Sequence, residues 1–286
     1  MTLTAVSAAS ARSAVALALT LTVWAAMFPA AAHAAALRVC ADPNYLPYSN
    51  QARQGWENKV AAAVAKDLGE SLSYTWATTR GTGGWDQFIH DTLNAGKCDV
   101  VMNVPYANQA LLTSDPYYIS SYVFVFDKRK NYDLRSLDSS ILQRVKIGYE
   151  SDTPPESGLK LRGILLGAVP FDIGGTEGQS PAVMLDAVRS NHIQVGITWE
   201  PAVGYFLKNR YSQLAVVPVP NSRGRGTPEQ YIFPMSMGVR QNDQALKKRL
   251  NQVIARHKSQ LVSILDQYGV KLYRPNVDPY GSQDQQ

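Results

Sequence analysis

A regular alternation of strand-like and helix-like segments constrains the fold of this chain more than any other feature. Residues 37–41 are a short apolar run with strand character. Trp56–Leu68 carries Val60, Ala61, Val64 and Leu68 at helical spacing, and Gly69 stands where such a helix stops. Ser71–Trp76 alternates as a half-buried strand does. Residues 85–95 return to helical spacing, with Phe88, Ile89 and Leu93 on one face and Gly96 as the cap. Residues 99–104 are then almost uninterruptedly apolar, the pattern of a strand covered on both faces of a parallel sheet. Strand, helix, strand, helix, strand predicts an α/β fold.

A longer β-prone run, 118–126, feeds the charged Asp127-Lys-Arg-Lys130 and reads as a strand crossing out of one lobe. A second series follows: strand 145–149, helix 158–166, a helix over 183–188 announced by Ser180-Pro181, strand 195–199, helix 202–207 and strand 214–219. Residues 221–228 form a Gly/Arg-rich loop, and 232–239 run back as a β segment. The last helix, 243–268, presents Leu246, Leu250, Val253, Ile254, Leu261, Ile264 and Leu265 on one face and closes at Gly269. A single domain fits the length alone. The two β crossings favour two lobes: 35–126 plus 235–275 as lobe 1, and 127–234 as lobe 2, with a flexible tail over 276–286. A cleft between such lobes closes on a ligand by hinge motion.

The first 34 residues read as a cleavable signal peptide. Arg12 precedes an apolar stretch over 14–28, Pro29 breaks it, and Ala32-His33-Ala34 offers small residues for cleavage. An uncleaved anchor is the alternative, but the stretch is short for a span, and no other long apolar segment follows. Arg38 beside Cys40 argues against lipid attachment. Cleavage removes one basic residue and lowers the formal net charge from +5 to +4. That excess is mild, and only Lys128-Arg129-Lys130 and Lys247-Lys248-Arg249 cluster. Nucleic-acid binding would need a basic face with stacking aromatics. A solvated surface, or a docking patch for an acidic protein, suits these clusters better. In an exported chain Cys40 and Cys98 are expected to pair, if the strands that bear them are neighbours. The bond would close a loop of about 58 residues, worth roughly 3–4 kcal/mol. Two separate buried thiols are the alternative.

Catalytic constellations are missing. Ser157-Gly-Leu-Lys160 matches Ser-x-x-Lys without that motif's partner sequences, and Gly81-Thr-Gly-Gly84 has no strand feeding directly into it. His90, His192 and His257 stand far apart among polar helical positions, and two Cys with three scattered His lack metal-ligand spacing. Asp42 and Glu57 form a carboxylate pair near the end of the first strand, suited to capping or ligand contact as well as to acid–base work. No catalytic residue, metal or cofactor is expected. Aromatic residues instead gather at strand ends: Tyr45, Tyr48 and Trp56 after the first strand, Tyr106 after the third, Tyr117 and Tyr118 before the crossing, Tyr149 and Trp199 in the second lobe. With Asn103 and Glu200 as added polar groups, they describe an aromatic-lined binding cleft. Ordinary core packing accounts for any one of them equally well.

These residues resemble a family. Leu37-Arg-Val-Cys-Ala-Asp-Pro-Asn44 with Pro47-Tyr-Ser-Asn50, Gly55-Trp-Glu-Asn58, Ala95-Gly-Lys-Cys-Asp-Val-Val-Met102 and Ser114-Asp-Pro-Tyr-Tyr118 are similar to type 2 periplasmic solute-binding proteins. More narrowly they resemble the branch associated with pyrroloquinoline-quinone alcohol dehydrogenases, the MxaJ/XoxJ type. The resemblance covers the whole mature chain. It implies a two-lobed type II periplasmic-binding-protein fold, a periplasmic location, and a role in maturing or activating a periplasmic quinoprotein methanol or alcohol dehydrogenase. Neither the dehydrogenase nor the quinone site is implied in this chain itself. Amino-acid receptors of the family carry an arginine near the position of Ala107 and an aspartate near that of Trp199. Their replacement implies poor binding of α-amino acids, whose charges would go uncompensated. A plain uptake receptor delivering an uncharged or aromatic solute to a membrane transporter is the competing reading.

Overall fold

The computed structural model describes residues 35–175 and 177–273; the leader expected over 1–34 and the tail expected over 276–286 lie outside the described residues. Along them run β1 (Ala36–Ala41), β2 (Asn44–Tyr45), β3 (Ser49–Asn50), α1 (Trp56–Leu68), β4 (Ser71–Trp76), α2 (Gly84–Ile89), β5 (Val101–Pro105), β6 (Leu112–Thr113), β7 (Tyr118–Asp127), β8 (Ile147–Glu150), α3 (Pro154–Leu161), β9 (Val169–Phe171), α4 (Ala182–Arg189), β10 (Val195–Trp199), α5 (Glu200–Arg210), β11 (Leu214–Pro218), β12 (Ile232–Val239) and α6 (Gln244–Gln267).

Local signals account for most boundaries. Gly69 ends α1 at φ 69°, left-handed geometry that glycine adopts at no steric cost. The Asp243 side chain caps α6 by accepting the Leu246 N–H. Three expectations need correction. The helix expected over 85–95 is α-helical only to Ile89 and widens into a π-turn at His90–Asn94. The helix expected over 158–166 begins earlier, because Pro154-Pro155 suits a first turn, where the missing N–H groups have no partners to lose. Strand β9 was not foreseen, since Pro170 interrupts its pattern; it is tolerated because β9 is an edge strand.

The sheets explain the two lobes. β1 and β4 are parallel, and a Val39–Val100 bridge sets β1 beside the approach to β5. The larger sheet runs β5-β12-β7-β10-β8-β9, with β6 added to β12 and β11 to β7. β7 changes partners along its length. Its residues 118–121 pair with β12, its residues 122–126 with β10 and its residues 123–127 with β11. β12 likewise passes from β7 to β5 and β6. These are the two crossings. On one side of them Trp56, Val60, Met102, Tyr117, Met237 and Leu250 share a core. On the other, Phe124, Ile147, Leu159 and Ile197 form one cluster, and Val125, Met184, Leu185 and Tyr211 another. The fold is a two-lobed α/β body of the type II periplasmic-binding-protein kind. No helix among the described residues is long and apolar enough to cross a membrane.

Cys40 and Cys98 are bonded, with Cα atoms 5.5 Å apart and a separation of 58 positions in sequence. The bond clamps β1 to the strand that Cys98 leads into. Replacing both cysteines with serine is predicted to lower stability by roughly 3–4 kcal/mol through the released loop entropy, read as a shift in the urea midpoint. Glu200, expected at the cleft, is instead a structural group. It opens α5, is 2% exposed, and its Oε1 accepts the Lys271 N–H at 2.9 Å, while Oε2 has no partner among the described residues. Desolvation pushes its pKa up to about 8, against the opposing pull of Lys271. The unfolded chain gives up this proton near 4.5 and the folded chain keeps it to about 8, so stability falls as pH rises between those values. Glu200→Gln should therefore flatten the decline in melting temperature from pH 5 to pH 8. An unchanged slope would contradict this assignment.

Candidate functional site

The first lobe positions its site residues by docking a loop onto the start of a helix. Past β1, Asp42 is 2% exposed; its Oδ1 accepts the Asn44 N–H and its Oδ2 the Thr79 N–H, both at 2.9 Å. The chain then folds against α1. Trp56 N–H donates to the Pro47 carbonyl at 2.8 Å, and Glu57 N–H to the Tyr48 carbonyl at 2.9 Å. The Asn58 Oδ1 accepts from both Gly55 N–H and Asn50 N–H at 3.1 Å. A Cβ on Gly55 would stand 1.9 Å from the Tyr48 carbonyl oxygen, so the close approach requires glycine. The result sets Tyr45, Tyr48 and Glu57 on one wall of a cavity of about 650 Å³ between the lobes.

Glu57 is half-buried. Desolvation pushes its pKa up to about 8, the neighbouring Asp42 adds to the rise, and Asn103 opposes it. Asn103 is itself held by the Tyr118 hydroxyl, which donates to its Oδ1 at 2.6 Å. The opposite wall carries Glu150, the last residue of β8. It is 6% exposed, and its Oε1 accepts from the Thr198 hydroxyl and from Trp199 N–H. Desolvation raises its pKa, while those two donors and the Arg80 charge pull it down. Where the crossings meet β10, three rings gather. Tyr122 and Trp199 have centroids 5.1 Å apart, Trp199 and Phe233 6.0 Å, and Tyr122 and Phe233 6.4 Å.

Arg80 joins the lobes at the cavity mouth. Its Nε–H donates to the Ile173 carbonyl at 2.7 Å, one terminal nitrogen lies 3.0 Å from Asp172 and the other 3.6 Å from Asp152. Both carboxylates are largely exposed, so each ion pair contributes on the order of 0–1 kcal/mol. The approach is close because Gly174 and Gly175 lack side chains. A Cβ on Gly174 would lie 2.0 Å from Arg80 Cγ, and one on Gly175 would lie 1.8 Å from the Asp42 carboxylate.

Of the residues expected from sequence, Asp42, Tyr45, Tyr48, Glu57, Asn103 and Trp199 line this cavity. The other five do not. Trp56 and Tyr117 are fully buried in the first lobe's core, with the Tyr117 hydroxyl donating to the Met102 carbonyl at 2.6 Å. Tyr149 packs in the second lobe's core, Tyr106 is exposed and does not line the cavity, and Glu200 anchors α5. Strand alternation explains Tyr149, since successive side chains point to opposite faces and Glu150, one residue on, takes the cavity side. Arg80, Trp85, Phe88, Tyr122, Glu150 and Phe233 line the cavity and were not foreseen. Arg80 carries the same strand-end signal as Asp42, because it follows β4, the parallel neighbour of β1.

Gly175→Ala should hold the lobes apart, since Asp42 is pinned by Thr79 and cannot yield. Solution scattering is predicted to show a larger radius of gyration than wild type with an unchanged far-UV circular dichroism spectrum. Arg80→Ala should give a smaller change in the same direction.

Residues 37–271 match the family model for bacterial extracellular solute-binding proteins, family 3. The chain is 30% identical over 253 residues to Protein MoxJ of Methylorubrum extorquens, covering 83% of this chain and 81% of that protein. The crystal structure of MxaJ from Methlophaga aminisulfidivorans MPT superposes with a TM-score of 0.73 at 24% identity, over 83% of this chain and 100% of that one. The periplasmic binding protein XoxJ from Methylobacterium extorquens AM1 superposes with a TM-score of 0.65 at 30% identity, over 83% of this chain and 99% of that one. The chain therefore belongs to the bacterial extracellular solute-binding proteins, family 3, and within them to the MoxJ/XoxJ type.

Proposed function

We propose that this protein is a non-catalytic periplasmic binding protein that serves as an accessory or maturation factor for a quinoprotein methanol or alcohol dehydrogenase. It grips a segment of its partner, or an apolar ligand, in the cleft between lobe 1 (35–126 plus 235–275) and lobe 2 (127–234). The observation that carries this reading is the match to MoxJ, MxaJ and XoxJ along more than four-fifths of the chain. The cavity supports it. Rings and a few fixed polar groups hold ligands well, and Tyr and Trp are strong anchors for partners. The quinone would belong to the dehydrogenase.

Deleting the gene is predicted to abolish periplasmic alcohol dehydrogenase activity while leaving solute uptake intact. A pull-down from periplasm containing the native dehydrogenase should capture that enzyme, with weaker capture by Trp199→Ala and Tyr48→Ala. Normal dehydrogenase activity in the deletion strain would overturn the reading; lost uptake of an uncharged solute would favour a transporter receptor instead.

A further inference from the structure

The cavity's charge is unbalanced. Four carboxylates line it, from Asp42, Glu57, Glu150 and Asp152, and Arg80 is the only lysine or arginine that does so among the described residues. Arg80 is already engaged, its nitrogens facing the Ile173 carbonyl, Asp172 and Asp152. Glu150 is 6% exposed, yet its Oε2 accepts no hydrogen bond among the described residues. A carboxylate oxygen at a cavity wall without a donor calls for one from the occupant. The rings of Tyr122, Trp199 and Phe233 border the same space, and aromatic faces attract cations.

We propose that the cavity receives an organic cation without a carboxylate, an alkylammonium or guanidinium group, held between Glu57 of one lobe and Glu150 of the other. This rests on the binding reading above and names the chemistry of its occupant. The rings supply the apolar contact already inferred; the carboxylates add a requirement for positive charge. A carboxylate-bearing ligand would face four acidic residues with no free guanidinium. Glu57 behaves as a group short of a counter-cation. Asp42, Asn103 and the Tyr48, Tyr117 and Tyr118 hydroxyls surround it, none of them cationic, and burial leaves it holding its proton until about pH 8. An arriving cation takes that proton's place. Because each lobe contributes one carboxylate, the same cation favours the closed arrangement. Its source is either a free amine or a lysine or arginine side chain on a polypeptide.

Two sets of probes against the mature chain separate these sources. The first is n-butylammonium, butan-1-ol and butyrate. The second is N-acetyl-lysine methylamide with its norleucine and glutamate counterparts. Calorimetry should show the cation binding about tenfold or more tighter than its neutral partner in at least one set, and the anion weakest. Preference confined to the second set identifies a polypeptide source. Glu57→Gln should weaken the cation at least about fivefold without weakening the neutral probe, as should Glu150→Gln. Glu200→Gln, outside the cavity, should not. If Glu150→Gln fails to fold, the half-buried Glu57→Gln decides alone. No binding in either set, equal or better binding of a neutral or anionic probe, or a cation preference that survives in the Glu57→Gln variant overturns the inference. Should capture of the dehydrogenase persist while cation preference is absent, the accessory role stands and only this inference falls.

Discussion

The pairing of β7 with β12 carries the rest of the structure. Each strand spends part of its length in one sheet neighbourhood and part in another, so the ladder between them is a backbone link shared by two cores. Backbone hydrogen bonds hold that ladder while side chains pack separately on either side. The consequence is a permanent seam where neither core closes over the surface. Tyr122, Trp199 and Phe233 gather at that seam because strand side chains there have no third layer to bury them. The cavity follows from the topology and needs no separate explanation.

Charge decides what the seam can hold. Burying carboxylates without cations costs free energy, and this chain lowers the cost with fixed donors: Asn44 and Thr79 backbone groups for Asp42, Thr198 and the Trp199 backbone for Glu150. Glu57 has no comparable set and keeps its proton. Arg80, the only guanidinium lining the cavity among the described residues, is directed to the rim, where Gly174 lets the second lobe approach it. Rim pairs between exposed carboxylates and Arg80 are weak and add little to what holds the lobes together. Rigid crossings and a loose mouth are therefore two outcomes of one arrangement.

Much of the architecture was legible in sequence because its signals are local. Helix α1 and strands β4 and β12 fall where the local pattern puts them: α1 buries one face and stops at a glycine, β4 alternates, and β12 is an apolar run buried on both faces over 235–239. The disulfide was legible in part: two cysteines in a chain read as exported leave one possible pair, and the structure supplied the remaining condition by setting β1 beside the approach to β5. The site was half legible. Strand ends pointed to Asp42, Tyr45, Tyr48 and Trp199, and the structure brings these together. The same logic placed Trp56, Tyr117 and Tyr149 in the cleft, where burial in the cores took them instead. A large ring satisfies either environment, and only its direction distinguishes them.

Period and composition, acting over a few residues, determined the alternation of elements, the two crossings and the family resemblance carried by Cys40-Ala-Asp-Pro-Asn44 and Gly96-Lys-Cys-Asp99. Tertiary structure alone decided which side chain of each adjacent pair faces the cavity. Glu150 does and Tyr149 does not; Trp199 does and Glu200 does not. It alone brought Arg80 against Ile173, 93 residues away in the chain. Local periodicity reports that a face is buried, but which body covers it depends on how distant strands pair, and that pairing is a property of the whole sheet.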